Sequence, residues 1–132
     1  MRKINKIIIH CTATQENEDV SVDEVRRWHL KRGWRDIGYH FLIQRNGRVD
    51  EGRHNWDSIG VAYVGGVEDE KKKGKWIAKD TRTPEQKDSL VDLLCQLKDS
   101  YGGTIYGHNN YSSKSCPCFD AKLEYENISN RY

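Results

Sequence analysis

Apolar and polar positions along this chain fall into short runs with two different periods. The first run, ending in Ile7-Ile8-Ile9-His10, is nearly continuous and predicts a strand over residues 4–10 buried on both faces. From Val22 the spacing changes. Val22, Val25, Trp28 and His29 recur near helical intervals and predict a helix through Arg32. Ser21 followed three positions later by Glu24 forms a capping box at its start, and Gly33 stands where such a helix stops. Residues 39–44 read as a second strand. Asn46-Gly47 predicts a two-residue hairpin, a type I′ turn with positive φ at both positions, returning along residues 48–51. Residues 59–64 form another strand, closed by Gly65-Gly66. Residues 67–82 are polar and lysine-rich and read as a loop. Thr83-Pro84-Glu85-Gln86 is a second capping box with proline at the first helical position. Its helix carries Leu90, Val91, Leu93, Leu94 and Leu97 as a core-facing stripe and ends near Tyr101-Gly102-Gly103. Residues 104–106 make a short strand, and residues 119–127 a last helix.

Strands and helices therefore alternate in a way that predicts an α/β fold, a single domain with a central mixed β-sheet flanked by helices. At 132 residues the chain can bury one core but not two, so residues 1–132 read as one domain with no separate module. A formal charge of +2 with 32% charged residues gives no electrostatic case for nucleic acid, and Lys71-Lys72-Lys73 reads as a solvated run. The N-terminal segment fits neither a secretory signal nor a membrane span. A cytoplasmic location without membrane insertion is the expectation. Four cysteines without framework spacing suit a reducing compartment. Cys11 and Cys95 read as small buried residues and Cys118 as a packed free thiol.

Candidate chemistry concentrates in residues 107–117, Gly-His-Asn-Asn-Tyr-Ser-Ser-Lys-Ser-Cys-Pro. On a helix His108 and Cys116 would stand roughly 12 Å apart, whereas two donors to one zinc lie about 2.0–2.3 Å from it. The chain between them must fold back, as the turn formers Asn109, Asn110, Ser112 and Ser113 allow. A third donor has to come from elsewhere. His10, at the end of the first apolar run, is the candidate, the alternative being a strand-end histidine that hydrogen-bonds the backbone. Two histidines and one cysteine with an open fourth position would make a catalytic type of zinc site.

His10 in Ile-Ile-His-Cys-Thr-Ala-Thr, Gly38-Tyr39-His40-Phe41, Ser58-Ile59-Gly60-Val61, and His108 followed by Lys114-Ser115-Cys116-Pro117 occur in that order. Together they resemble the zinc N-acetylmuramoyl-L-alanine amidases of phages and bacteria. That family includes the amidase-type phage lysozymes and is related to the peptidoglycan recognition proteins. The resemblance implies one Zn2+ per chain, held by His10, His108 and Cys116. It also implies hydrolysis of the amide between N-acetylmuramic acid and L-alanine in peptidoglycan. Lys114 resembles the residue that meets the developing oxyanion. Tyr39 resembles the tyrosine that donates to that oxyanion or handles a proton of the attacking water. The general base is left between Tyr39 and the zinc-activated water itself. A phage or prophage endolysin acting as a monomer is implied. It would reach the wall after a holin opens the membrane, or after lysis.

One departure concerns the groove. Relatives carry about ten more residues between Gly52-Arg53 and Ser58-Ile59-Gly60, where this chain has His54-Asn55-Trp56-Asp57. His54 and Trp56 are the candidate substrate contacts there. His29 and His40 read as packing residues, and Trp28, Trp34 and Trp76 as core or rim. Two rivals stand beside the amidase: a non-catalytic peptidoglycan-binding module, and a regulatory protein that binds another protein.

Overall fold

A computed structural model describes residues 5–53, 58–69, 71 and 73–130. Its strands are β1 (Lys6–Cys11), β2 (Thr14–Gln15), β3 (Phe41–Ile43), β4 (Val49–Glu51), β5 (Ile59–Tyr63), β6 (Gly66–Val67) and β7 (Thr104–Gly107). Its helices are α1 (Val22–Lys31), α2 (Pro84–Tyr101), α3 (Ala121–Glu124) and α4 (Glu126–Ser129), with a 3₁₀ turn at His108–Asn110. Five strands form one sheet in the order β4-β3-β5-β1-β7. β1 runs parallel to β5 and β7, β3 parallel to β5, and β4 antiparallel to β3. The mixed sheet expected from the sequence is present, with β1 near its centre.

Strand alternation divides the core between the two faces of the sheet. Ile7, Ile9 and Cys11 of β1 join Ile59, Val61 and Tyr63 of β5 beneath Leu90, Leu93, Leu94 and Leu97 of α2. On the opposite face Leu42 and Ala62 pack with Val25 of α1, together with Val20, Ile37 and Val64. β5 is buried at every position, as a strand with two covered faces should be. β1 is not: Ile8 and His10 are only half-buried, because α1 covers the β3–β5 half of that face. The expectation of burial on both faces of β1 therefore fails where the site begins.

Both capping boxes form. Ser21 caps Glu24, and Thr83 caps Gln86. Gln86 does more than close its cap. Fully buried, its amide donates to the carbonyls of Ile43 and Val64, tying the ends of β3 and β5 to the start of α2.

Several sequence expectations are corrected. The hairpin between β3 and β4 has a three-residue loop, with Gly47 N–H donating to Gln44 O and Gln44 N–H to Arg48 O. Of Asn46 and Gly47 only Gly47 has positive φ, at +91°; this is a type I turn closed by a left-handed glycine rather than type I′. The second strand is shorter than 39–44, leaving Tyr39 and His40 outside it. The span 67–82 is not wholly loop: β6 pairs with β2, and Val67 bridges Ala78. The last helix breaks into α3 and α4 at Tyr125. Val91 is exposed and Cys95 only half-buried, whereas Trp28, Trp34 and Trp76 lie at the surface, which is the rim side of the core-or-rim expectation. No helix among the described residues is long and apolar enough to cross a membrane.

Arg82 is the main buried charge. Its side chain is 2% exposed and ion-pairs with Asp80 at 2.8 Å and Glu124 at 2.7 Å. It also donates to Tyr125 Oη and lies 3.4 Å from the Phe119 ring centroid. The segment before α2 thereby clamps the chain that follows Cys116. Arg82→Met should cost about 2–4 kcal/mol, because two carboxylates and a phenol lose their common partner. Their partial exposure keeps the cost below that of a fully buried pair. Urea unfolding measures it, and an unchanged midpoint would contradict the clamp.

Candidate active site

Strand ends bring the candidate residues together. His10 is the fifth residue of β1, and strand alternation turns it away from the α2 face on which Ile9 and Cys11 are buried. β7 lies in parallel register with β1, Ile9 opposite Gly107, so the next residue, His108, arrives beside His10. Their ring centroids are 4.8 Å apart. Cys116 comes back to them along the loop that follows the 3₁₀ turn. The donor atoms of His10, His108 and Cys116 all lie within 4.8 Å of one another. Donors around a tetrahedral zinc stand about 3.3–3.8 Å apart, so a small inward movement of the side chains satisfies the ion. Two imidazoles and a thiol are also the donor chemistry that zinc takes. The set fits a metal.

The loop is held from several sides. Gly107 N–H donates to Asn110 Oδ1 at 2.9 Å, and Asn109 Nδ2 to the Phe119 carbonyl at 3.1 Å. The buried Tyr63 hydroxyl donates to Pro117 O at 2.6 Å. These contacts place Cys116 where the Cys11 backbone N–H donates to its sulfur at 3.1 Å. The Cys11 thiol, the His10 side chain and that N–H all favour the Cys116 thiolate and hold its pKa well below the usual thiol range. The same sulfur contacts raise that of Cys11.

Cys11 is thus more than the buried filler read from the sequence. Its immediate succession to His10 was the available signal. Cys118 behaves as expected: its sulfur points to the Gly66 carbonyl at 3.3 Å and sits 4.0 Å from Cys11 Sγ, away from the donor set. A side chain at Gly66 would obstruct this packing, since a Cβ there would lie 2.6 Å from Cys11 Sγ.

Tyr39 stands beside His10, ring centroids 5.2 Å apart, and its hydroxyl donates to the Cys11 carbonyl at 3.4 Å. Burial pushes its phenol upward, with the charges of Cys116 and Cys11 adding to the shift. The group is a neutral donor near pH 7. His29 packs edge-on against the Tyr39 ring, and its Nδ1 accepts from Gly38 N–H at 2.8 Å. Burial lowers its pKa, with Arg32 and His10 contributing. His40 Nδ1 accepts from Gly60 N–H at 3.0 Å. Both are packing residues, as the sequence suggested. Lys114 lies exposed on the loop between His108 and Cys116, its backbone N–H donating to Ser112 Oγ at 3.1 Å. Among the described residues its side chain has no partner, and the structure does not bring it into the donor set. His54 and Trp56 lie outside the described residues.

Known proteins resemble this chain in sequence and in fold. The N-acetylmuramoyl-L-alanine amidase family model matches residues 1–119. The endolysin of Enterobacteria phage T3 is 42% identical over 132 residues, covering 91% of this chain and 84% of its own. Among solved structures, the N-acetylmuramoyl-L-alanine amidase LysC from Clostridium intestinale superposes with a TM-score of 0.71 at 25% identity, over 96% of this chain and 83% of the other. Drosophila peptidoglycan recognition protein SD shares the fold, with a TM-score of 0.73 at 24% identity, over 96% of this chain and 82% of the other.

Proposed function

Because the chain belongs to the N-acetylmuramoyl-L-alanine amidase family, we propose that it is a zinc-dependent hydrolase of the bond between N-acetylmuramic acid and L-alanine in peptidoglycan, an endolysin of phage type. The observation that carries this reading is the convergence of His10, His108 and Cys116 donor atoms within 4.8 Å. When bound there, zinc supplies Lewis acidity and makes a water acidic enough to attack near neutral pH.

The chain's own residues do the rest. The Cys116 thiolate and the two imidazoles would hold the ion, His10 from the half-exposed face of β1. The Cys11 N–H fixes the thiolate's position. The Tyr39 phenol, kept protonated, is a donor to the carbonyl oxygen of the substrate as negative charge gathers on it. Lys114, exposed two residues before Cys116, is the chain's candidate to bring a positive charge to the same oxygen. In a phage-type endolysin the chain would accumulate in the cytoplasm and meet the wall after a holin-type partner opens the membrane.

The test is metal content, measured on purified protein, together with release of peptides bearing a new L-alanine N-terminus from purified peptidoglycan. One zinc per chain with such release is expected. Zinc-loaded protein that cleaves no wall would favour a non-catalytic binding module. Tyr39→Phe should retain zinc and lower kcat by about 10²-fold, the size of one proton-handling or donor group. A kcat within threefold of the parent would remove Tyr39 from the reaction.

A further inference from the structure

We infer that Cys11 and Cys118 are a dithiol site that closes to a disulfide by exchange with a small oxidised thiol, stapling the end of β1 to the loop that carries Cys116. Its geometry stands apart from the amidase reading; its use at the cell wall rests on that reading.

All four cysteines are free thiols, and these two are already neighbours. Their sulfurs lie 4.0 Å apart, although the residues are 107 positions apart in the chain. A disulfide needs about 2.05 Å, so each sulfur has about 1 Å to travel, a small side-chain rotation. Both sulfurs are seated on the same residue. Cys118 Sγ lies 3.3 Å from the Gly66 carbonyl oxygen, and a Cβ on Gly66 would come within 2.6 Å of Cys11 Sγ. The glycine leaves the room in which the two meet. Backbones on either side are held by other contacts. Cys11 is in parallel register with Tyr63 of β5, whose hydroxyl donates to Pro117 O at 2.6 Å, and Cys118 N–H donates to Ser115 O at 2.6 Å.

Cys116 is the rival partner, and its sulfur is committed differently. It meets the Cys11 backbone, 3.1 Å from the nitrogen and 3.8 Å from the carbonyl oxygen, and converges with His10 and His108. The Cys11 side chain belongs to the α2 face of the sheet, whereas His10 faces the other way. Closure between Cys11 and Cys118 therefore leaves in place both the Cys116 sulfur and the N–H that holds it.

Exposure sets the order of events. Cys11 is 3% exposed and Cys118 half-buried, so Cys118 meets the oxidant first. Its sulfur attacks a disulfide RSSR; the S–S bond breaks, one RSH leaves with the Cys118 proton, and a mixed disulfide remains on Cys118. Cys11 then attacks the Cys118 sulfur and expels the second RSH with its own proton. The two thiols lose two electrons, and RSSR gains them. A chain made among cytoplasmic thiols stays reduced, and one that acts at the wall meets conditions in which disulfides persist. The staple closes a loop that spans most of the chain, which restricts the unfolded state and leaves the folded one favoured.

The experiment equilibrates the intact purified protein with oxidised or with reduced glutathione, then counts thiols, maps linked peptides and records thermal unfolding of each form. The oxidised form should keep two of its four thiols, those of Cys95 and Cys116, and should yield one linked peptide joining Cys11 to Cys118. Its Tm should exceed that of the reduced form by about 10 °C, the size expected of a long closed loop in a domain of this length. Cys118→Ser keeps a small polar group against Gly66, and its Tm should be the same under both conditions. Four thiols after oxidation, a glutathione adduct persisting on Cys118, a linked peptide through Cys116, or a Tm that does not rise would each overturn the proposal. Failure of the amidase reading looks different: the staple forms and raises Tm, but no wall is cleaved. Failure of the staple would leave wall cleavage intact and Tm indifferent to the glutathione state.

Discussion

Cys116→Ala should lose zinc and wall-cleaving activity together, with turnover falling to background, while the protein stays folded. The reasoning starts from the donor count. With Cys116 removed, His10 and His108 remain, and two imidazoles, one in β1 and one just after β7, do not make the three-ligand set that a catalytic zinc requires. The substitution also strips an acceptor from the Cys11 N–H, which now donates to the sulfur at 3.1 Å. Leaving that group unpaired costs about 1–3 kcal/mol, less than the stability of an ordinary domain. Far-UV circular dichroism and a cooperative unfolding curve should therefore resemble the parent's, whereas metal analysis should not. Cys116→Ser gives a sharper control. It keeps an acceptor of similar shape near Cys11, but a hydroxyl does not ionise as this thiol does, so zinc should still be lost. Zinc retained at parental stoichiometry in Cys116→Ala would take the sulfur out of the donor set.

Much of this candidate site is legible in the sequence, for a local reason. His10 sits at the end of a strand whose apolar run is unmistakable, and His108 follows a strand that the Gly102-Gly103 break sets off. Parallel pairing of two such strands delivers their ends to the same edge. Helix starts were equally legible, because Ser21 with Glu24 and Thr83 with Gln86 satisfy orphan N–H groups through residues three apart. Two of the misses are non-local. β6 is a two-residue strand whose partners, β2 and Ala78, are distant in sequence, so no periodicity could reveal it. The turn type at Asn46-Gly47 depended on whether Arg45 would enter the loop, which is decided by where Arg48 pairs. Its guanidinium neighbour in the chain, Arg45, is drawn to Thr81 O and Gln86 Oε1, contacts that only the folded chain supplies.

The role of Cys11 shows the same limit. Composition and pattern mark it as a buried small residue, which it is. Its use, a backbone donor to the Cys116 sulfur from 105 positions away, exists only once the loop after β7 has returned. Clamps that bring it back, Tyr63 on Pro117 and Arg82 on Glu124 with Tyr125, likewise join parts of the chain that carry no mutual signature. The site is thus read from its candidate donors, and its precision comes from contacts that those donors do not announce.

Lys114→Ala should keep zinc and stability and lower kcat by about 10²–10³-fold, the cost of deleting one group that meets an oxyanion. An exposed lysine without a partner among the described residues would ordinarily be dispensable, and surface substitutions of that kind change stability by about 0.5 kcal/mol or less. Its position two residues before the thiolate makes the difference, on a loop whose end is fixed by Cys116 while its middle is solvent-exposed. Charge gathers on the substrate oxygen only during reaction, so an ammonium that approaches then stabilises the transition state more than the bound substrate. The signature is a fall in kcat with KM little changed. Lys114→Arg keeps the charge but changes its shape and reach, and should recover part of the loss. Steady-state kinetics on a soluble muropeptide, beside metal analysis and thermal unfolding of the same preparations, separates the possibilities. A Tm that falls with kcat would assign Lys114 to holding the loop, and a kcat within threefold of the parent would leave the oxyanion to Tyr39 and the metal alone.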